Sequence, residues 1–290
     1  MTGKSPQLDA GDRLPLTWVQ IKNRAKAQDW GNLSAEMRLK LTEEETKSKR
    51  MGIPIDFLEL GFRILRIAAE LKPSGSWETR LGQLENHAEK LLGDRHPVLN
   101  YVNQCSERMQ ALVAINTSPA WAELASIFRV ELEQPDWALE AAEISLEKDS
   151  GNVAALTTKV SSHGDLGNFD AAEDAYQRAI TLEPKSSYLA AAISKVRLRE
   201  RKFDEALDHG MSAFQANPHP ATARLVANIY KEAGFDRQAH RWYQEAEFIE
   251  GAEDEQITQA HILGLLELAK AAAANPQTSD ERSPESSRSE

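Results

Sequence analysis

The residues capable of chemistry are few and scattered. Cys105 is the single cysteine of the 290-residue chain, so neither an internal disulfide nor a cysteine metal cage is expected. No base stands near it in sequence, and Met109 follows one turn on. It reads as a small core or surface residue rather than a nucleophile. The seven histidines form no His-x-x-x-His or Glu-x-x-His pair on one helix face, so no metal site is expected. Gly3-Lys4-Ser5 matches the end of a phosphate-binding loop, but the upstream glycine, the strand and the following helix are missing. No loop-borne cluster of Ser, His, Asp, Cys or Glu supports an enzyme built on residues 54–116. The expectation is a protein with no catalytic residue, no cofactor and no metal.

Charge is the next resource. The balance of 34 basic against 45 acidic residues gives a formal net charge of −11. That argues against bulk phosphate binding, because nonspecific nucleic-acid affinity comes from neutralised phosphates. Arg38, Lys40, Lys47, Lys49 and Arg50 form a locally basic stretch that could meet nucleic acid or an acidic partner. Glu43, Glu44 and Glu45 lie among them, which favours a solvated polar helix. The opening residues contain no apolar core and do not read as a signal peptide. No apolar run approaches the roughly 18 residues that span a bilayer. The expectation is a cytoplasmic protein without a membrane segment.

The elements that position these residues are helices. Alanine is frequent and alternating β-branched runs are missing, so the chain reads as all-α. Residues 1–53 read as a polar arm with short helices. One helix spans 15–30, with Trp18, Ile21 and Ala25 on a face, and Gly31-Asn32 breaks it. A second helix is expected to start at the capping box Thr42-Glu43-Glu44-Glu45. Trp18 and Trp30 dock this arm onto the rest or anchor another protein. Residues 54–117 read as helical hairpins. Two apolar stripes, Phe57/Leu60/Ile64/Ile67/Leu71 and Leu58/Phe62/Leu65, place the first of these helices between neighbours. A partner helix carries Trp77, Leu81, Leu84, Ala88 and Leu91, and a third spans about 97–116.

From 118 to 254 a pattern recurs. Asn168-Phe169-Asp170-Ala171-Ala172 with Tyr176, Ala179 and Pro184 is followed by Lys202-Phe203-Asp204-Glu205-Ala206 with Ala213 and Pro218, and the two prolines are 34 residues apart. Ala239, Tyr243 and Ala246 continue the series, and Ala138 opens it. Such units resemble the tetratricopeptide repeat, a helix–turn–helix of 34 residues. The resemblance covers about 118–253 and implies four units in a right-handed all-α solenoid. A capping helix at 255–274 and a disordered tail at 275–290 complete it. Three positions depart from the pattern. The first unit needs one extra residue near Pro135, Arg197 stands where an aromatic is usual, and Val160 replaces a small residue and implies a looser first helix in the second unit.

The resemblance also implies a function. Stacked repeats curve, and their first helices line a groove that binds a peptide or a helix. The groove positions it implies are Ser126, Arg129, Thr157, Ser161, Tyr188, Lys195, Arg199, Arg224, Asn228 and Lys231. The set is basic and would suit an acidic or carboxylate-ended peptide. The alternative is a solvated face whose Lys and Arg pair with Glu200, Glu205 and Glu232. The two-carboxylate clamp of chaperone-binding members is not implied, because its Asn places fall on Ser126 or Ser161. The expected role is a non-catalytic scaffold for a protein or peptide partner. The other reading is a regulator whose basic N-terminal arm contacts nucleic acid while the repeats sense a peptide. The slightly acidic tail from Asn275 is a candidate to occupy the basic groove of its own chain.

Overall fold

A computed structural model of the chain describes residues 16–27, 30–93 and 96–251, with backbone alone at 30–32. The described residues form thirteen α-helices and no strand. The chain divides into two compact units, 1–150 and 151–290. The capping helix expected at 255–274, the tail and Gly3-Lys4-Ser5 lie outside the described residues.

The first unit holds α1 (Trp18–Lys26), α2 (Trp30–Met51), α3 (Phe57–Ala69), α4 (Trp77–Leu92), α5 (Leu99–Ile115), α6 (Ser118–Val130) and α7 (Pro135–Lys148). Thr17 caps α1 in a reciprocal box with Gln20. The expected helix start at Thr42 does not exist: α2 runs unbroken for 22 residues. The Thr42 hydroxyl donates back to the Arg38 carbonyl at 3.0 Å, so a hydroxyl suited to capping is satisfied inside the helix. Buried Leu33, Met37 and Leu41 repeat every four residues and carry the helix through. The break falls between Lys26 and Trp30, and Gly31-Asn32 lies in the first turn of α2.

The N-terminal helices are part of this unit's packing. α1 rests on α2 and α3, and α2 rests on α4. Ile21 and Ala25 are fully buried. Lys22 Nζ meets Glu70 at 3.1 Å and Glu133 at 2.9 Å. Helix α3 packs on α4 and α5 as its two stripes require, while Leu58 stays half-exposed. A ring cluster joins α4 to α6 and α7. Trp77 stacks on Phe128 at 4.9 Å, and Trp137 meets both rings edge-on at 5.9 and 5.5 Å.

The second unit holds α8 (Val153–Asp165), α9 (Phe169–Leu182), α10 (Ser187–Arg199), α11 (Phe203–Ala216), α12 (Pro220–Glu232) and α13 (Asp236–Gly251). Consecutive helices pair as hairpins, and α10 packs on both α8 and α12. The repeat is visible in the backbone. A left-handed residue follows the first helix of every hairpin, at Glu133, Gly167, Arg201 and Gly234. After each, a backbone N–H reaches back over the helix end: Gln134 to Phe128, Asn168 to His163, Lys202 to Arg197 and Phe235 to Tyr230. This is the closure that left-handed helix ends use to satisfy orphan carbonyls. The first closure spans one residue more than the others, which places the extra residue of that unit just before Pro135. Arg201 holds a conformation that glycine adopts without steric strain.

Two rows of small residues keep the same step. Ala138, Ala172, Ala206 and Ala239 are buried, as are Ser145, Ala179, Ala213 and Ala246. The row has a serine in the first hairpin because Ser145 donates to the Ser118 carbonyl at 2.8 Å. Tyr176 and Tyr243 are half-buried beside these rows. Val160 is fully buried. The close approach in its helix occurs one turn on, at Gly164, where a Cβ would lie 2.6 Å from Val196 Cγ2. The fold is therefore an all-α array of helical hairpins of the tetratricopeptide type.

Candidate functional site

In the second unit the first helices α8, α10 and α12 lie side by side. Helix α10 is central. Ser186 precedes it, and Tyr188, Lys195 and Arg199 project from it at spacings of seven and four, which is one helix face. Tyr188 is 76 % exposed, and Lys195 and Arg199 are exposed. Helix α12 adds exposed Asn228 and Lys231 and half-buried Arg224. From α8, Thr157 is half-buried and donates to the Val153 carbonyl at 2.8 Å. Ser161 is buried at 7 % exposure. It lies three residues before Gly164, which approaches Val196 of α10, and it leaves little surface on the face. Arg129 (half-buried) and Ser126 (exposed) belong to α6 of the other unit.

The cations of the face are mostly engaged. Arg199 pairs with Asp165 at 2.5 Å, and Arg224 pairs with Glu250. Arg129 and Lys195 have partners as well. The Asn228 Oδ1 accepts a hydrogen bond from the Tyr243 hydroxyl at 2.5 Å. Lys231 forms no ion pair among the described residues. Glu200 and Glu205, expected as surface partners of these cations, serve Arg197 instead. The Arg197 side chain, 11 % exposed, meets Glu173 on α9, Glu200 at 2.6 Å and Glu205 on α11 at 2.9 Å. Burial disfavours its charge, but the hydrogen bond and charge of Glu200 and the charge of Glu173 outweigh burial and raise its pKa. Arg197 thus joins three helices where an aromatic was expected.

The basic stretch of the first unit divides similarly. Lys40 is buried between Glu43 at 2.6 Å and Glu44 at 3.2 Å. Trp18 donates its indole N–H to Glu44 at 3.1 Å and lies between the Lys40 and Arg63 cations, 5.9 and 5.3 Å from its ring. Trp18 therefore fastens α1 to α2 and α3; the Trp30 side chain lies outside the described residues. Arg38, Lys47, Lys49 and Arg50 are exposed. Cys105 is buried, and burial pushes its thiol up to about 11, so it is a poor source of thiolate. Among the described residues no group of three His, Cys, Asp or Glu could hold a metal. None of the described helices is long and apolar enough to cross a membrane.

No protein-family model matches the sequence, and no curated protein matches it. Several solved structures are similar to it at low identity. MamA matches with 17 % identity and a TM-score of 0.40 over 60 % of this chain and 92 % of its own. PilW, a widely conserved type IV pilus biogenesis factor, matches with 13 % identity and a TM-score of 0.41 over 84 % and 96 %. The APC/C hetero-tetramer Cut9–Hcn1 matches with 16 % identity and a TM-score of 0.46 over 89 % of this chain and 54 % of that one. The tetratricopeptide class of the fold is carried by this chain's own repeating helix ends and buried alanine rows.

Proposed function

We propose that the chain is a non-catalytic scaffold that binds a peptide or helix of a partner protein across α8, α10 and α12. The observation that carries this reading is Tyr188: a large aromatic ring 76 % exposed on the central helix, above Lys195 and Arg199. Exposed aromatic and arginine side chains are the usual anchors of protein interfaces. The surface ion pairs beside it are weak, each worth about 0–1 kcal/mol. A ligand carboxylate can therefore replace Asp165 or Glu250 at little cost, which favours an acidic partner in the cytoplasm.

Affinity capture from the native cell tests the reading. Wild-type chain should retain a specific partner, and the doubly substituted Tyr188→Ala, Lys231→Glu chain should lose it while keeping its thermal midpoint. Equal retention by both chains would remove this face as the binding surface. The other reading, nucleic-acid contact by the N-terminal cations, is separated by titrating generic duplex at low and high salt. Absence of low-salt binding ends it.

A further inference from the structure

A second surface is built where α2 ends and α3 begins. The connection 52–56 is short and pinned at both ends. The Ser48 hydroxyl donates to the Ile53 carbonyl at 2.6 Å. Asp56 caps α3 by accepting from the Leu58 and Glu59 amides, both at 3.0 Å. Pro54 further restricts the backbone between them. Yet apolar side chains at this junction are left in water: Met51, the last residue of α2, is 59 % exposed, and Ile53 in the connection is 57 % exposed. Apolar side chains on a fixed backbone have little ordering entropy left to lose on binding.

The surroundings have the shape for a partner. A cavity of about 290 Å³ opens on one side, floored by Ile55 and Leu60. A second one of about 560 Å³ runs along α2 beside Leu39, Thr42 and Thr46. Lys47 and Met51 line both, so they form the ridge between the two.

The charges at the rim are asymmetric. Its carboxylates are committed internally: Glu43 and Glu44 to Lys40, Glu59 to Arg63, and Asp56 to the α3 amides. Lys47 and Arg50 have no described carboxylate within ion-pair distance. The groups left for a visitor are therefore apolar side chains and two cations. We infer that the α2–α3 junction is a docking surface for an acidic amphipathic helix of a partner protein. Its apolar side chains straddle Met51 and Ile53, and its carboxylates pair with Lys47 and Arg50. This surface is separate from the α8–α10–α12 face and would allow the scaffold to hold two partners.

Fluorescence anisotropy with the full chain tests it. The probes are a labelled helical peptide with Leu on one face and Glu on the other, and its twin with Lys replacing Glu. The chain should prefer the acidic peptide. Met51→Ser with Ile53→Ser should weaken that binding about tenfold or more, as loss of central anchors does. Lys47→Glu with Arg50→Glu should reverse the preference toward the basic twin. Tyr188→Ala should leave both affinities unchanged, so this surface and the other face fail independently. All four side chains are exposed, and unchanged thermal midpoints show that folding is intact. Equal affinity for the two peptides, binding of neither, or loss with Tyr188→Ala overturns the inference. So does binding of phosphatidylserine vesicles in place of the peptide, which would assign the surface to a membrane.

Discussion

Helices of the unit 151–290 combine rows of small side chains with isolated ring pairs such as Phe214–Trp242 at 5.0 Å, whereas α4, α6 and α7 of the unit 1–150 share one cluster of rings. In the former, Ala172, Ala206 and Ala239 let paired helices approach closely, and Gly164 lies against Val196. In the latter, Trp77, Phe128 and Trp137 fill the space between helices. The hairpin α6–α7 has both: its Ala138 and Ser145 continue the small-residue rows, while its Phe128 and Trp137 belong to the ring cluster. That hairpin thus carries the small residues of the repeat pattern and ring contacts to α4 at the same time. Loss of volume should be the larger threat in the ring cluster, and gain of volume the larger threat at the small-residue rows.

The largest expected effect is loss of volume in the ring cluster. Phe128 is fully buried, and Phe128→Ala should lower the unfolding free energy by about 3–5 kcal/mol, measured by urea denaturation. A gain of volume should matter more in the second unit. Ala206→Leu should cost about 1–3 kcal/mol by overpacking the α10–α11 crossing and lower the thermal midpoint. An unchanged midpoint would break the repeat register.

The smallest effect is set by pH. His209, edge-on to Tyr176 at 5.6 Å, has its pKa lowered, chiefly by burial and then by the Arg197 charge. The folded state resists a proton that the unfolded chain accepts. His209 therefore contributes stability above the ordinary histidine value of 6.5, and that contribution is lost as pH falls through 6.5 toward the folded value. His209→Gln should flatten the pH dependence of stability in that window. The slope should not vanish, because His87 and His96 of the first unit are lowered too, in each case chiefly by burial. A variant as steep as wild type would show that burial of His209 does not matter.

The second unit was legible because its packing residues recur every 33 or 34 residues, so weak signals at Ala172, Ala206 and Ala239 reinforce one another. The first unit has no such step before residue 118. Its organising contacts join residues far apart in sequence, as when Lys22 reaches Glu133 and Trp77 reaches Phe128, and local periodicity does not encode them. Thr42 was misread for a local reason: Thr-Glu-Glu-Glu satisfies the pattern of a helix start, but the pattern is silent on Leu33, Met37 and Leu41 burying together across it. At the candidate site the groove positions came from the resemblance alone; Tyr188, Lys195 and Arg199 are exposed on one side of α10. The pairing was not legible. Asp165 and Glu250 lie 34 and 26 residues from the arginines they meet, and Arg197 draws on glutamates of α9 and α11 as well as on the cap of its own helix. The burial of Ser161 depends on how α8 meets its neighbours, which its local sequence does not encode.

The central claim is that a partner covers the first helices of the second unit. Amide hydrogen exchange of the chain, alone and with its captured partner, tests this most directly. The account predicts added protection in α8, α10 and α12, strongest in the first turns of α10 around Tyr188. Protection confined to α9, α11 and α13, with α10 unchanged, would contradict it.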